Sequence, residues 1–411
     1  MSGAVQGHIE DVICSLSDPE RVAHSAGPAR AATLNDGVCG AALVLAVLSA
    51  TDPALARLAS RHWDVGTRLL RRSGPDGIYR GPGALAASLV LGNPHLAASH
   101  RRNADTQQAV RWLSARAAGL ARHQHERRLQ GRQGTPWAVY DAIKGLAGIG
   151  RILLVADQTG HREIAEPGLR AALTTLSTMI NTSSASRPGW WLSRDEHPAA
   201  RAIPVPDSGA ATTGLAHGIA GPLALLAIAA AHGHTVPGQH RAIGRAAHWL
   251  LNWRADDGTW PAHISGGTFR QPAVPASSSP SRRDAWCYGS AGIGNALLHA
   301  GSATHDEAVT AVGRAALNSL ADRPFTQWDT TGPGICHGSA GVLLAASAHH
   351  HWRLARRARR ATVAQLAEPP HHTSAANSGL LTGAAGVALA LSGCESRHTR
   401  ALEWTALLLL S

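Results

Sequence analysis

At 411 residues the chain can bury a large core, and with aromatics at 4% that core must be built mainly from Ala, Leu, Val and Ile. The net charge of +11 is almost entirely arginine (Lys144 is the single lysine), and no tight basic run interleaves with aromatics, which argues against a nucleic-acid partner. Five cysteines without framework spacing argue against a disulfide-stapled secreted domain, and the longest apolar runs, around "GAALVLAVLSA" (40–50), are too short for an integral membrane segment.

The N-terminal stretch "MSGAVQGHIEDVICSLSDPE" lacks a basic head and a long apolar run, so it is no signal peptide, and a cytoplasmic location is expected. From residue 37 a motif recurs. It reads "GVCGAALVLAVL" from Gly37, a degenerate "RGPGALAASLVL" from Arg80, and "GLAGIGRILLVA" from Gly145. It returns as "GIAGPLALLAIA" from Gly218, "GSAGIGNALLHA" from Gly289, "GSAGVLLAASAH" from Gly338 and "GAAGVALALSG" from Gly383. The Gly-rich "GLAGIG" lacks both a preceding strand and a Gly-Lys-Ser/Thr ending, so it is a weak nucleotide loop. Segments 181–213 and 261–285, rich in Pro, Ser and Gly, read as long loops or small insertions. The Arg-dense "RLARRARRA" (353–361) reads as a solvated helix face, and the histidines of "AHHHW" (348–352) and "PPHHTS" (369–374) read as solvated turns.

Each motif opens a short helix that is apolar on every side, and between motifs lie amphipathic stretches. In "QHRAIGRAAHWLLNWR" (239–254), Ala242, Ile243, Ala246, Ala247, Leu250 and Leu251 fall on one stripe. A helix apolar all round must be surrounded by protein. Seven such helices with seven amphipathic partners predict an all-α, α/α toroid: one domain over 1–411, with a small insertion around 181–213. An open solenoid is the alternative, but its inner helices would show a polar face. The glycines are expected to allow backbone geometry a β-carbon would hinder, and close approach between neighbours.

Aligned on the second glycine, the position five residues earlier holds Asn35, Ile78, Ile143, Ala216, Cys287, Cys336 and Leu381. The next position holds Asp36, Tyr79, Lys144, His217, Tyr288, His337 and Thr382. Equivalent positions share one rim, so Cys287, Cys336 and His337 should converge there. Two thiols and an imidazole favour zinc, with three protein ligands and an open fourth place as in catalytic sites. Buried structural thiols are the plainer alternative. A ligand set of two thiolates and one neutral imidazole suits activation of a substrate thiol better than polarisation of a carbonyl.

The stretches "YDAIKGLAGIGRILL" (140–154), "GLAHGIAGPLALL" (214–226), "DDGTWP" (256–261), "RDAWCYGSAGIG" (283–294), "CHGSAG" (336–341) and "GLLTGAAGVALAL" (379–391) together resemble the lanthionine synthetase C-like cyclases. The resemblance implies a seven-repeat toroid that adds cysteine thiols of a dehydrated precursor peptide to dehydroalanine or dehydrobutyrine, forming thioether rings. It implies Cys287, Cys336 and His337 as zinc ligands, one zinc per chain, and His217 as the catalytic histidine. It also implies Asp141 as an aid to proton transfer, and Arg283 and Tyr288 as residues lining the site. On chemical grounds Arg283 is a candidate to stabilise enolate charge, and Asp141 could instead be a helix cap. Dehydration would fall to a separate dehydratase, and the positive charge is expected to favour an acidic leader segment. The other readings are addition of glutathione or another small thiol to dehydro residues, a non-catalytic peptide scaffold, and a prenyltransferase-like toroid, which the "CHG" and "AHG" motifs suit poorly.

Overall fold

The computed structural model describes residues 3–70, 76–182, 187–201, 205–270, 283–367, 378–393 and 399–411. In chain order the helices are α1 (Gly3–Ser15), α2 (Pro19–Ala26), α3 (Val38–Leu48), α4 (Leu55–Leu69), α5 (Gly81–Gly92), α6 (Asn103–Leu129), α7 (Trp137–Tyr140) and α8 (Leu146–Ala156). They continue as α9 (Arg162–Asn181), α10 (Ala220–Ala231), α11 (Gln239–Asn252), α12 (Ser290–Thr304), α13 (Glu307–Asp322), α14 (Ser339–Ala348), α15 (Trp352–Ala367) and α16 (Ala384–Gly393). None of the described helices is long and apolar enough to cross a membrane.

The seven motif helices α3, α5, α8, α10, α12, α14 and α16 form an inner ring, each packed on the next, with α16 returning to α3. Every residue of α3 and α5 except Pro82 is buried, as the absence of a polar face requires. Outside lie α4, α6, α9, α11, α13 and α15, whose apolar stripes face inward. On α15, Leu354, Ala355, Ala358 and Ala361 are buried while Arg353, Arg356 and Arg360 face out. The outer helix of the last pair is α1, the first in the chain: it packs on α16, and its His8 Nε2 lies 3.2 Å from the Ala384 carbonyl oxygen. This is a closed α/α toroid.

The repeated glycine has one cause in all seven motifs, the local backbone geometry a Cβ would obstruct. A Cβ on the second glycine would meet the carbonyl oxygen six residues earlier, at 1.7 Å for Gly83, 1.8 Å for Gly386 and 2.6 Å for Gly221. The approach is thus made by the repeat's own incoming segment rather than by a neighbouring helix. That segment folds over the helix N-terminus, and its carbonyls take the free N–H groups there: Ser339 N–H donates to Gly332 (3.1 Å) and Val38 N–H to Ala31 (2.9 Å).

These incoming segments also bond to one another around the rim. Ile78 N–H donates to the Ile143 carbonyl, Ala142 to Ala216, Leu215 and Ala216 to Cys287, Cys287 to Cys336, Cys336 to Leu381 and Leu380 to Asn35. Leu34 donating to Tyr79 completes the belt. In five of these links the acceptor is a residue of the aligned column one repeat further on, and in the Leu380 link it closes last to first; only Tyr79 stands one place off, in the degenerate repeat.

Two features lay outside the repeat pattern. The segment 399–411 carries a 3₁₀ helix (Thr399–Leu408) and fills the bore, with Trp404 and Leu407 to Leu410 buried. The irregular stretches 181–213 and 261–285 contribute two short antiparallel strands, β1 (Ala210–Thr212) and β2 (His263–Ser265), with Thr212 opposite His263. The histidine reading holds for the turn at 349–350, where His350 is exposed, but not for the solvation of His349: it packs 4.6 Å from the His299 ring, and burial pushes it down to about 4. "PPHHTS" and Cys394 lie outside the described residues.

Candidate metal centre and proton-transfer site

The belt brings Cys287, Cys336 and His337 together, with one ligand atom from each lying within 4.8 Å of the others. Cys287 is buried, Cys336 half-buried and His337 exposed, so the cluster opens toward solvent on the histidine side. The loop bearing Cys287 is clamped from below. Asp284 is fully buried, takes a bidentate contact from Arg323 (2.8 and 2.9 Å) and accepts Asp329 N–H at 3.0 Å. Trp286, fully buried, donates from Nε1 to the Leu408 carbonyl in the bore (2.8 Å). His337 is held by its carbonyl, which accepts Thr331 N–H at 2.7 Å.

Electrostatics favour a thiolate here. The Cys336 thiol beside it holds Cys287 well below the ordinary thiol range, against the cost of burial, with His337 and the Tyr288 backbone adding to the effect. Cys336 is correspondingly raised by Cys287 and by burial, and His337 is raised by Cys287. Two sulfurs and an imidazole competing for few protons are a donor set that a divalent cation fits, and the inner helices direct their positive ends at this rim.

Next along the rim, Asp141 and His217 form a dyad, with Asp141 Oδ2 2.7 Å from His217 Nδ1. The two readings of Asp141 prove compatible. Its Oδ1 accepts the backbone N–H groups of Ile143 (3.0 Å), Lys144 (2.6 Å) and Gly145 (3.0 Å) and so caps the approach to α8, while Oδ2 serves the histidine. With Nδ1 committed to Asp141, His217 Nε2 has no hydrogen-bond partner among the described residues and is not sealed from solvent. Its ring stacks on Trp137 (4.6 Å, 10° between planes), and its carbonyl accepts the Tyr140 hydroxyl at 2.8 Å.

Tyr288 lies between dyad and cluster, its ring 6.4 Å from that of His217. Burial and then Cys287 push its hydroxyl well above the ordinary range, so it is a neutral donor. Arg283 sits at the cluster's outer edge, half-exposed and 4.0 Å from Asp329, and it is not brought against the dyad. Lys144 pairs with Asp76 (3.1 Å). A groove of about 1110 Å³ lies elsewhere, between α6 and α9, and holds no residue of the cluster.

Sequence reasoning missed Trp137, Thr212, His197 and His263. The last two form an imidazole group with Trp137: His197 is edge-on to both Trp137 (5.2 Å) and His263 (5.1 Å), and His263 lies 6.2 Å from Tyr288. Their only signal was that both stretches carrying them were irregular and preceded motifs bearing chemical residues.

The family model described as lanthionine synthetase C-like protein matches residues 28–409. Among solved structures, nisin cyclase aligns with a TM-score of 0.79 at 19% identity, over 99% of this chain and 97% of that one, so the two share a fold. No curated protein matches the chain.

Proposed function

Because the chain belongs to the lanthionine synthetase C-like family, we propose that it is a zinc-dependent cyclase, adding cysteine thiols of a dehydrated precursor peptide to dehydroalanine or dehydrobutyrine. One observation carries this reading: a Cys287–Cys336–His337 donor set and a His217–Asp141 dyad on the same rim, with Tyr288 between them. Cys287, Cys336 and His337 would hold the zinc, which when bound supplies a lowered thiol pKa while leaving the sulfur nucleophilic.

The remaining chemistry belongs to the chain. In the addition, sulfur forms a bond to the β-carbon and the double-bond electrons move toward the neighbouring carbonyl as an enolate. The thiol has lost a proton and the α-carbon must gain one. His217 Nε2 can accept the first and deliver the second, while Asp141 holds Nδ1–H and steadies the imidazolium between the two events. Asp141 is therefore an orienting partner: both of its oxygens are already engaged, which leaves it poorly placed to take the thiol proton itself. Trp137 limits the ring's rotation. Tyr288 adds a neutral hydroxyl, and Arg283 lends positive potential from the edge.

The test begins with metal content. Wild type should carry one zinc per chain, and Cys336→Ala should fold, carry none, and fail to close a thioether in a dehydrated peptide. Wild type that holds no zinc under metal-preserving purification would end this reading. Faster addition of glutathione than of the peptide's own cysteine would replace the cyclase by a small-thiol transferase.

A further inference from the structure

A one-way hydrogen-bond chain runs from the backbone of residue 199 to the ring of His263. Ala199 N–H donates to His197 Nδ1 (3.3 Å), so that nitrogen carries no proton and the ring's hydrogen sits on Nε2. His197 Nε2 lies 3.5 Å from Thr212 Oγ1 and donates to it. The single hydroxyl proton of Thr212 is then free for His263 Nδ1, 3.1 Å away. His263 accepts on Nδ1 and must carry its own proton on Nε2. Among the described residues Nε2 has no partner, and it is not sealed from solvent.

The pairing of β1 with β2 aims this ring. Thr213 N–H donates to the Ala262 carbonyl, and two residues on, Leu215 N–H donates to that of Cys287, so the strand bearing His263 is two hydrogen bonds from the cysteine loop. His263 stands beside Tyr288, across from His217.

The geometry points to His263 as a further catalytic residue, a neutral Nε2–H donor for the carbonyl oxygen on which enolate charge develops during thiol addition. The assignment rests on the reading proposed above. Burial, then His197 and His217, push His263 down to about 4, so it stays neutral at working pH and donates without being consumed as an acid. A neutral imidazole is a fitting donor there: it stabilises the oxyanion and leaves protonation of carbon to His217. The bond inventory is unchanged: S–C forms, the C=C π pair becomes the enolate, and His263 keeps its hydrogen throughout.

The test uses zinc-loaded full-length protein and a synthetic peptide carrying one dehydroalanine and one cysteine, followed by single-turnover thioether formation. His263→Ala should keep its fold, zinc content and KM but lose about 10²–10³-fold in rate. His263→Gln restores an N–H near the same place and should recover to within about 10-fold of wild type. Thr212→Val leaves the histidine but frees its tautomer and should cost about 10-fold. A His263→Ala rate equal to wild type would refute the donor role. Zinc loss in His263→Ala, or a His263→Gln no better than Ala, would refute it in favour of a structural role. A zinc-loaded wild type that leaves the peptide linear overturns the cyclase reading itself, and this inference with it.

Discussion

Asn35 and Cys287 hold the same place in their repeats, and each accepts the rim belt through its carbonyl. They differ in what the side chain does. Asn35 Oδ1 accepts the N–H groups of Leu381 (2.7 Å) and Thr382 (3.2 Å), and its Nδ2 donates to Thr382 Oγ1 (3.1 Å), stitching the first repeat to the last. Cys287 turns its sulfur to Cys336 and His337. Because the main chain alone makes the belt between these repeats, this side chain is free either to close the ring or to do chemistry. Mutation should therefore separate stability from catalysis cleanly at these two places.

The part both regions share should break hardest. Gly386→Ala drives a Cβ toward the Leu380 carbonyl, whose backbone must move. A loss of about 3–5 kcal/mol is expected in denaturant unfolding. On the chemical side, Asp141→Asn keeps an acceptor for the three N–H groups of residues 143–145 but not a carboxylate for His217. The cyclisation rate should fall about 10²–10⁴-fold with metal content and melting temperature little changed. On the seam, Asn35→Ala should cost about 1–3 kcal/mol, since two backbone donors lose their acceptor, while zinc stoichiometry and rate persist. A seam variant that lost its metal would show that the two halves of the rim are not independent. Smallest of all, Lys144→Ala removes an exposed pair with Asp76 and should shift stability by less than about 1 kcal/mol, which thermal melts would bound.

Much of this was legible in the chain because the repeat is local. A glycine pinned under its own incoming carbonyl leaves a fixed spacing in the sequence, and aligning on that spacing places Cys287, Cys336, His337 and His217 on one rim. Asp141 lies outside those two columns and was reached only through family resemblance. Its double use as cap and histidine partner needed coordinates. His197 and His263 could not be found this way, since what joins them is the pairing of two short strands that α10 and α11 separate in the sequence. The C-terminal segment escaped notice for a similar reason: its hydrophobic residues declare burial but not where.

That segment sets the traffic of the molecule. The Tyr79 hydroxyl bonds the Leu407 carbonyl from one side of the ring and Trp286 the Leu408 carbonyl from the other, while Arg151 reaches the Ser411 oxygen deeper in. The toroid is thus a cup with a floor rather than a pipe. On the proposed reading, a peptide enters as a bight and backs out the way it came, with its ends in solvent throughout. A chain already knotted by earlier thioether bridges never has to be threaded, so successive closures can share one mouth.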